Sequence, residues 1–197
     1  MSKTDILDSL VQKDGGYIKT SDAESAGISR SYFGDYVRMR SLERVAHGMY
    51  AAEDVWPDGM YIIQSRFSNA VFSHETALFL LGLADREPPH YSVTLKAGSN
   101  GSALAREGIK VYKVREELFE EGLIETQSPA GHAIRSYTPE RTLVDIVRSR
   151  SGIEIQDYQT AFKEYARMKG KNLPQLMRLA KAFSVEKAVR QYMEVLL

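Results

Sequence analysis

The chain has 197 residues, 43% of them hydrophobic, with 26 Lys and Arg balanced by 26 Asp and Glu and no cysteine. That length suffices for one or two packed domains, and the lack of thiols excludes disulfides, thiol catalysis and zinc–thiolate sites. A net charge of zero confines any nucleic-acid site to a local patch.

In chain order, Ser2 or Thr4 is predicted to cap a first helix whose apolar positions Ile6, Leu7, Leu10 and Val11 keep helical spacing, ended by Asp14-Gly15-Gly16. Ser21 and Glu24 have the spacing of a capping box, which predicts a second helix starting near Ser21. Gly27 can end that helix at positive φ, and Ala23 is small enough for two helices to cross closely. Ser29 is predicted to cap a third helix running to about Arg40. On that helix Tyr32, Phe33, Tyr36 and Val37 share one arc, while Ser31, Gly34, Asp35 and Arg38 share the opposite one. Leu42–Val45 and Met49–Ala51 flank Ala46-His47-Gly48, a pattern for a tight hairpin. Helix, turn, helix and hairpin together outline a winged helix-turn-helix. Such a unit places the N-terminus of its second helix against base edges and its hairpin against the backbone. The candidate DNA-binding residues are Lys19, Thr20, Ser29, Arg30, Ser31, Arg38, Arg40, Arg44 and His47. The alternative for the same pattern is a helix pair that only makes a protein interface.

Trp56-Pro57-Asp58-Gly59 reads as a linker, which places the division between residues 1–54 and 55–197. Beyond it the pattern predicts helices at Met60–Arg66 and Ser73–Gly82, with Ser73 as N-cap. Strands are predicted at Tyr91–Leu95, Ile109–Val114, Leu123–Thr126 and Ala133–Tyr137, with a flexible loop from Gly98 to Ser102 and a solvated acidic turn at Glu116–Glu121. Thr138 and Pro139 open a helix from Glu140 to about Arg150. Further helices follow at about Glu154–Lys169, Leu173–Phe183 and Ser184–Leu197. The fold class is therefore α+β: an N-terminal winged helix-turn-helix, then a larger mixed domain with a small sheet and C-terminal helices.

From Arg148 onward there are ten Lys and Arg against five Asp and Glu. Arg167, Lys169, Lys171, Arg178, Lys181 and Arg190 form a possible second basic patch, although basic helix faces are more often simply solvated. No catalytic or metal residues are assigned. Ser73-His74-Glu75 are adjacent on a helix and so cannot form a relay with one another. Histidines 47, 74, 90 and 132 lack metal-ligand spacing, and no phosphate-binding glycine motif occurs, so no cofactor is expected. Arg141 and Asp145 are read as an i, i+4 pair worth a few tenths of a kcal/mol if exposed. The most apolar stretch, Ala77–Leu83, is far shorter than the roughly 20 residues of a membrane helix. Asp5 and Asp8 interrupt any signal-peptide pattern, and the expected location is the cytoplasm.

Several segments in succession resemble the AbiEi antitoxins of type IV toxin–antitoxin and abortive-infection systems. They are Gly16-Tyr17-Ile18 with Ala26-Gly27-Ile28-Ser29, then Leu42 to Tyr50, then Phe72 to Leu78 with Leu81-Gly82-Leu83, and Pro139 to Asp145. The resemblance implies a non-enzymatic antitoxin that represses its own operon by binding inverted repeats in the promoter. It also implies a nucleotidyltransferase toxin as functional partner, neutralised without a stable complex, with the antitoxin role in the C-terminal domain. The alternative function is a ligand-responsive winged-helix regulator.

Overall fold

The structure is a computed structural model that describes residues 1–149 and 152–196. It divides into two compact units, Met1–Ser68 with Ser128–His132, and Asn69–Gln127 with Ala133–Leu197.

Unit 1 begins with α1 (Lys3–Lys13), capped by Ser2, whose hydroxyl accepts the Asp5 N–H while the Asp5 carboxylate accepts the Ser2 N–H. Then come β1 (Tyr17–Lys19), α2 (Thr20–Ser25), α3 (Arg30–Met39), β2 (Glu43–Ala46), β3 (Met49–Ala51) and α4 (Gly59–Arg66). The three strands form an antiparallel sheet in the order β1-β3-β2, with Tyr17 and Glu43 both opposite Ala51 and an irregular register between Arg44 and Ala46. Leu7, Ile18, Ala23, Ile28, Phe33 and Tyr36 fill the core beneath the helices. Gly27, at φ 77°, makes the turn between α2 and α3, where the Ile28 N–H reaches back to the Ala23 carbonyl at 3.0 Å.

The predicted cap at Ser21 is corrected. α2 starts at Thr20 with no side-chain cap, and Ser21 turns its hydroxyl to Asp22. The reason lies in the sheet: β1 runs straight into α2, and the Thr20 N–H is already taken by the Gly48 carbonyl at 2.8 Å. The unit extends past residue 54 because the following segment is tied to it. The Tyr17 hydroxyl accepts the Asp58 N–H at 2.8 Å, Asp58 caps α4 by accepting the Tyr61 N–H, and the Tyr61 hydroxyl donates to Asp14. His132 donates to Asp58 at 2.7 Å and stacks on Tyr61, 4.4 Å between ring centroids.

Unit 2 contains β4 (Val71–Phe72), α5 (His74–Leu80), β5 (Ser92–Lys96), α6 (Ser102–Arg106), β6 (Lys110–Val114) and α7 (Glu116–Phe119). It continues with β7 (Leu123–Gln127), β8 (Ala133–Tyr137), α8 (Pro139–Arg148), α9 (Ile155–Arg167), α10 (Leu173–Ala182) and α11 (Glu186–Leu196). The expected single small sheet is two. β4-β5-β6 is mixed, with β4 antiparallel and β6 parallel to β5, and β7 pairs antiparallel with β8 in a second, two-stranded sheet. The two-residue β4 is too short to show alternation, and α7 intervenes between β6 and β7. The predicted flexible loop ends in α6, and the acidic turn is not wholly solvated, because Phe119 is buried. Arg150 and Leu197, where two predicted helices were to end, lie outside the described residues.

α8 is the centre of unit 2. Thr138 caps it by accepting the Arg141 N–H, Pro139 sits in its first turn, and every residue from Glu140 to Val147 is buried. A helix buried all round must satisfy most of its polar groups internally, and in α8 the only buried side-chain atoms left without a partner among the described residues are Arg141 Nη2 and Thr142 Oγ1. Glu140 accepts the Tyr165 hydroxyl and the Asn172 N–H, each at 3.0 Å. Arg141 is 0% exposed. It donates to Asp145 at 3.0 Å, to the Leu118 carbonyl at 2.7 Å and to the Glu121 carbonyl at 2.6 Å, between the rings of Tyr137 and Phe183. The i, i+4 pairing of Arg141 and Asp145 is present but buried, so the value expected for an exposed pair does not apply. The guanidinium supplies a donor to the carbonyls of Leu118, near the end of α7, and of Glu121, just beyond it, where no further helical turn follows to bond them.

Candidate nucleic-acid interface

Five of the nine residues singled out for DNA contact line one open concavity of unit 1: Lys19, Thr20, Arg30, Arg44 and His47. The fold brings them together by two devices. The Thr20–Gly48 bond sets the β2–β3 turn, with His47 in it, against the start of α2. The Gly27 turn then places Arg30, at the first position of α3, next to α2. Arg44 donates to His47 Nδ1 at 3.0 Å and to the Ala46 carbonyl at 3.3 Å, which holds the hairpin guanidinium at the rim. The Lys19 ammonium lies 4.7 Å from the Tyr61 ring centroid. Arg30 is ion-paired with Glu24, whose hydrogen bond raises the Arg30 pKa further.

The other four residues do not line the concavity. Ser29 is the N-cap of α3, its hydroxyl accepting the Tyr32 N–H. Ser31 is exposed on the outer arc, and Arg38 pairs with Asp35 on the same helix. Arg40 turns to α1 and pairs with Asp8, which also accepts the Tyr36 hydroxyl at 2.8 Å. Hydrogen bonds from Arg40 and then Tyr36 hold the Asp8 carboxyl below its usual range, while burial first, then Asp8, pushes the Tyr36 phenol up. Arg40 therefore ties α3 to α1. Sequence reasoning missed Glu24, Ser65 and Arg66 as members of the concavity. Glu24 was read only as a capping residue, and no local pattern announces that the last turn of α4 would come near the hairpin.

In unit 2 the expected basic patch is largely engaged. Arg167 pairs with Glu164, Arg178 with Glu121 and Arg190 with Glu186, each at 2.7–2.8 Å, and Lys171 donates to the Met168 carbonyl. Lys169 and Lys181 are exposed. Arg178 keeps the Glu121 carboxyl below its usual range.

Ser73 and His74 meet, a correction to the expectation that adjacent residues here cannot bond to one another, because His74 takes a positive φ of 50°, while Glu75 turns to other partners. The Ser73 hydroxyl meets His74 Nδ1 and accepts from Thr94, both at 2.9 Å, and makes no cap bond. His74 is buried at φ 50°, with Nε2 at 3.1 Å from the Ser149 hydroxyl and its ring on Tyr112. Burial first, then the charges of Arg148, Arg141 and Lys110, hold its pKa well below the usual value, so the imidazole is neutral. Burial foremost, with Glu75 adding, pushes the Tyr112 phenol up to about 12. Glu75 accepts from Lys110 at 2.6 Å and from Ser92 at 2.9 Å, at the edge of a cavity of about 400 Å³ that also takes in Arg86, Glu154 and Asp157. Burial first, then Glu154 and Glu75, raise the Asp157 pKa. Among the described residues no group of three or more His, Asp or Glu is placed to hold a metal ion, and no helix is long and apolar enough to cross a membrane.

Residues 5–52, from α1 to the end of the hairpin, match a family model described as "Transcriptional regulator, AbiEi antitoxin". No curated protein matches the chain in sequence. Among solved structures, the RV2827C protein from Mycobacterium tuberculosis is similar, with a TM-score of 0.59 over 89% of this chain and 70% of that one. The two are 14% identical, so the likeness shows the fold alone.

Proposed function

From the match of residues 5–52 to a model of AbiEi antitoxin transcriptional regulators, we propose a sequence-specific DNA-binding repressor of its own operon. Unit 1 is read as a winged helix-turn-helix, with α2 and α3 as the helix pair and β2–β3 as the wing. α3 enters the major groove N-terminus first, with Arg30 toward base edges and Ser31 and Arg38 beside it. Lys19, Thr20, Arg44 and His47 take phosphates. The observation that supports this best is the meeting of Lys19, Arg30 and Arg44 around one concavity, from three elements, in a chain of zero net charge. A local cluster of cations on a chain of zero net charge suits a dedicated operator, read as inverted repeats in the promoter.

The antitoxin half is assigned to unit 2. By the resemblance it neutralises a nucleotidyltransferase toxin in the cytoplasm without forming a stable complex, and it acts without catalysis of its own. A mobility-shift assay with the duplex upstream of the gene tests the first half. Binding at low salt is expected, with Arg30→Ala costing about 1–3 kcal/mol on that duplex. No shift at low salt refutes the repressor. Co-expression with the neighbouring gene tests the second half, and failure to relieve that gene's toxicity refutes it. The unit 2 cavity favours a second reading, a ligand-responsive regulator; a ligand-dependent rise in melting temperature that depends on Glu75 and Asp157 would support it.

A further inference from the structure

Resting on the DNA-binding reading above, we infer that Glu24 determines specificity: it holds Arg30 ready for a base while cancelling its attraction for phosphate. Glu24 is the one carboxylate among the residues lining the concavity. It sits in the last turn of α2 and Arg30 in the first turn of α3, so the Gly27 turn sets their separation. The bond runs from Arg30 Nε to Glu24 Oε1. A guanidinium presents five N–H donors in a rigid fork. With Nε committed to Glu24, the Nη1 and Nη2 edge remains, on a side chain that is 81% exposed. Two parallel donors of that kind match O6 and N7 of guanine.

The charge of Glu24 acts in the opposite sense on phosphate. Non-specific binding is driven by cations replacing the counterions of the backbone. A cation already beside a carboxylate gains little from a phosphate, and the carboxylate is left facing the phosphates. Lys19 and Arg44 differ. Among the described ion pairs neither has a carboxylate, since Lys19 rests on Tyr61 and Arg44 on His47 and the Ala46 carbonyl. Of the three cations assigned to DNA, Lys19 and Arg44 are thus open to any backbone, while Arg30 is discounted for phosphate but still able to read a base; Arg66, also in the concavity, lies over the Phe67 ring at 5.0 Å. Glu24 is a positioning residue in this scheme, acting through Arg30.

The experiment compares the full chain with Glu24→Gln, Arg30→Ala and the double variant. Fluorescence anisotropy reads binding to the promoter duplex and to a scrambled duplex of the same composition. An exposed ion pair is worth up to about 1 kcal/mol, which is about fivefold in affinity. Glu24→Gln is expected to tighten scrambled-duplex binding about fivefold without tightening promoter binding, at unchanged melting temperature, so the specificity ratio falls about fivefold. In the Arg30→Ala background the same substitution should no longer change scrambled binding appreciably. An unchanged ratio, or an equal gain without Arg30, overturns the inference. Wild-type protein that does not distinguish the two duplexes instead refutes the DNA-binding reading, and the inference falls with it.

Discussion

Arg141→Met should destabilise unit 2 by about 5 kcal/mol or more at neutral pH. The substitution keeps volume and packing against Tyr137 and Phe183 but removes every donor of a side chain that is 0% exposed. Three acceptors lose their partner: the Asp145 carboxylate and the carbonyls of Leu118 and Glu121. Breaking a buried ion pair from one side costs about 3–5 kcal/mol, because the remaining charge stays buried without compensation. Each orphaned carbonyl adds about 1 kcal/mol or more unless water reaches it. Against a typical domain stability of about 5–15 kcal/mol, the loss is large.

The stranded Asp145 charge also makes the loss depend on pH. Burial already raises the Asp145 pKa, and Arg141 is the main influence lowering it. Without Arg141 the folded-state pKa rises further. A raised carboxyl pKa favours the protonated folded state, so the variant's deficit is greatest above that pKa and shrinks as pH falls through it. Urea unfolding, followed by far-UV circular dichroism and tyrosine fluorescence at pH 7 and pH 5, measures both effects. Asp145→Asn added to Arg141→Met removes the stranded charge and should recover about 2 kcal/mol. A deficit under about 1 kcal/mol, a deficit equal at both pH values, or a double variant worse than the single would refute the reasoning.

Lys19→Ala and Arg44→Ala should weaken promoter and scrambled DNA alike, and each should reduce the slope of log K against log salt by about 0.9 in a titration from low to physiological salt. Wild-type stability should fall as pH drops below about 6.5, because the fold holds His74 neutral while the unfolded chain protonates it. His74→Gln should flatten that dependence in urea midpoints taken at pH 7.5 and 5.5. Gly122→Ala should cost about 3 kcal/mol in the same assay: the residue sits at φ 77°, and a Cβ there would lie 2.7 Å from the Arg141 Cβ.

Elements announced by local chemistry were legible. Ser29 before α3, Thr138-Pro139 before α8 and Gly27 after α2 are each a cap or breaker whose function depends on neighbours within four residues. The hairpin with Gly48 was legible for the same reason. Strands β1 and β4, three and two residues long, were not, since they exist only through pairing with β3 and β5, distant in sequence.

The candidate site divides the same way. Sequence alone picked out Arg30, Arg44, His47 and Lys19, because a helix N-terminus and a hairpin tip have known uses against DNA. It could not tell that Arg40 is drawn off by Asp8, 32 residues earlier, or that Glu24 stands among the cations. Nor could it tell a surface i, i+4 pair from the buried Arg141–Asp145 pair at the heart of unit 2, since the spacing is identical and only burial differs. Composition and local pattern determined the class of fold, the caps at Ser29 and Thr138 and the arginines in play. Which arginine meets phosphate, which meets carboxylate and which holds the core was decided by tertiary packing, because a charge takes its energy from its surroundings, and those come from distant parts of the chain.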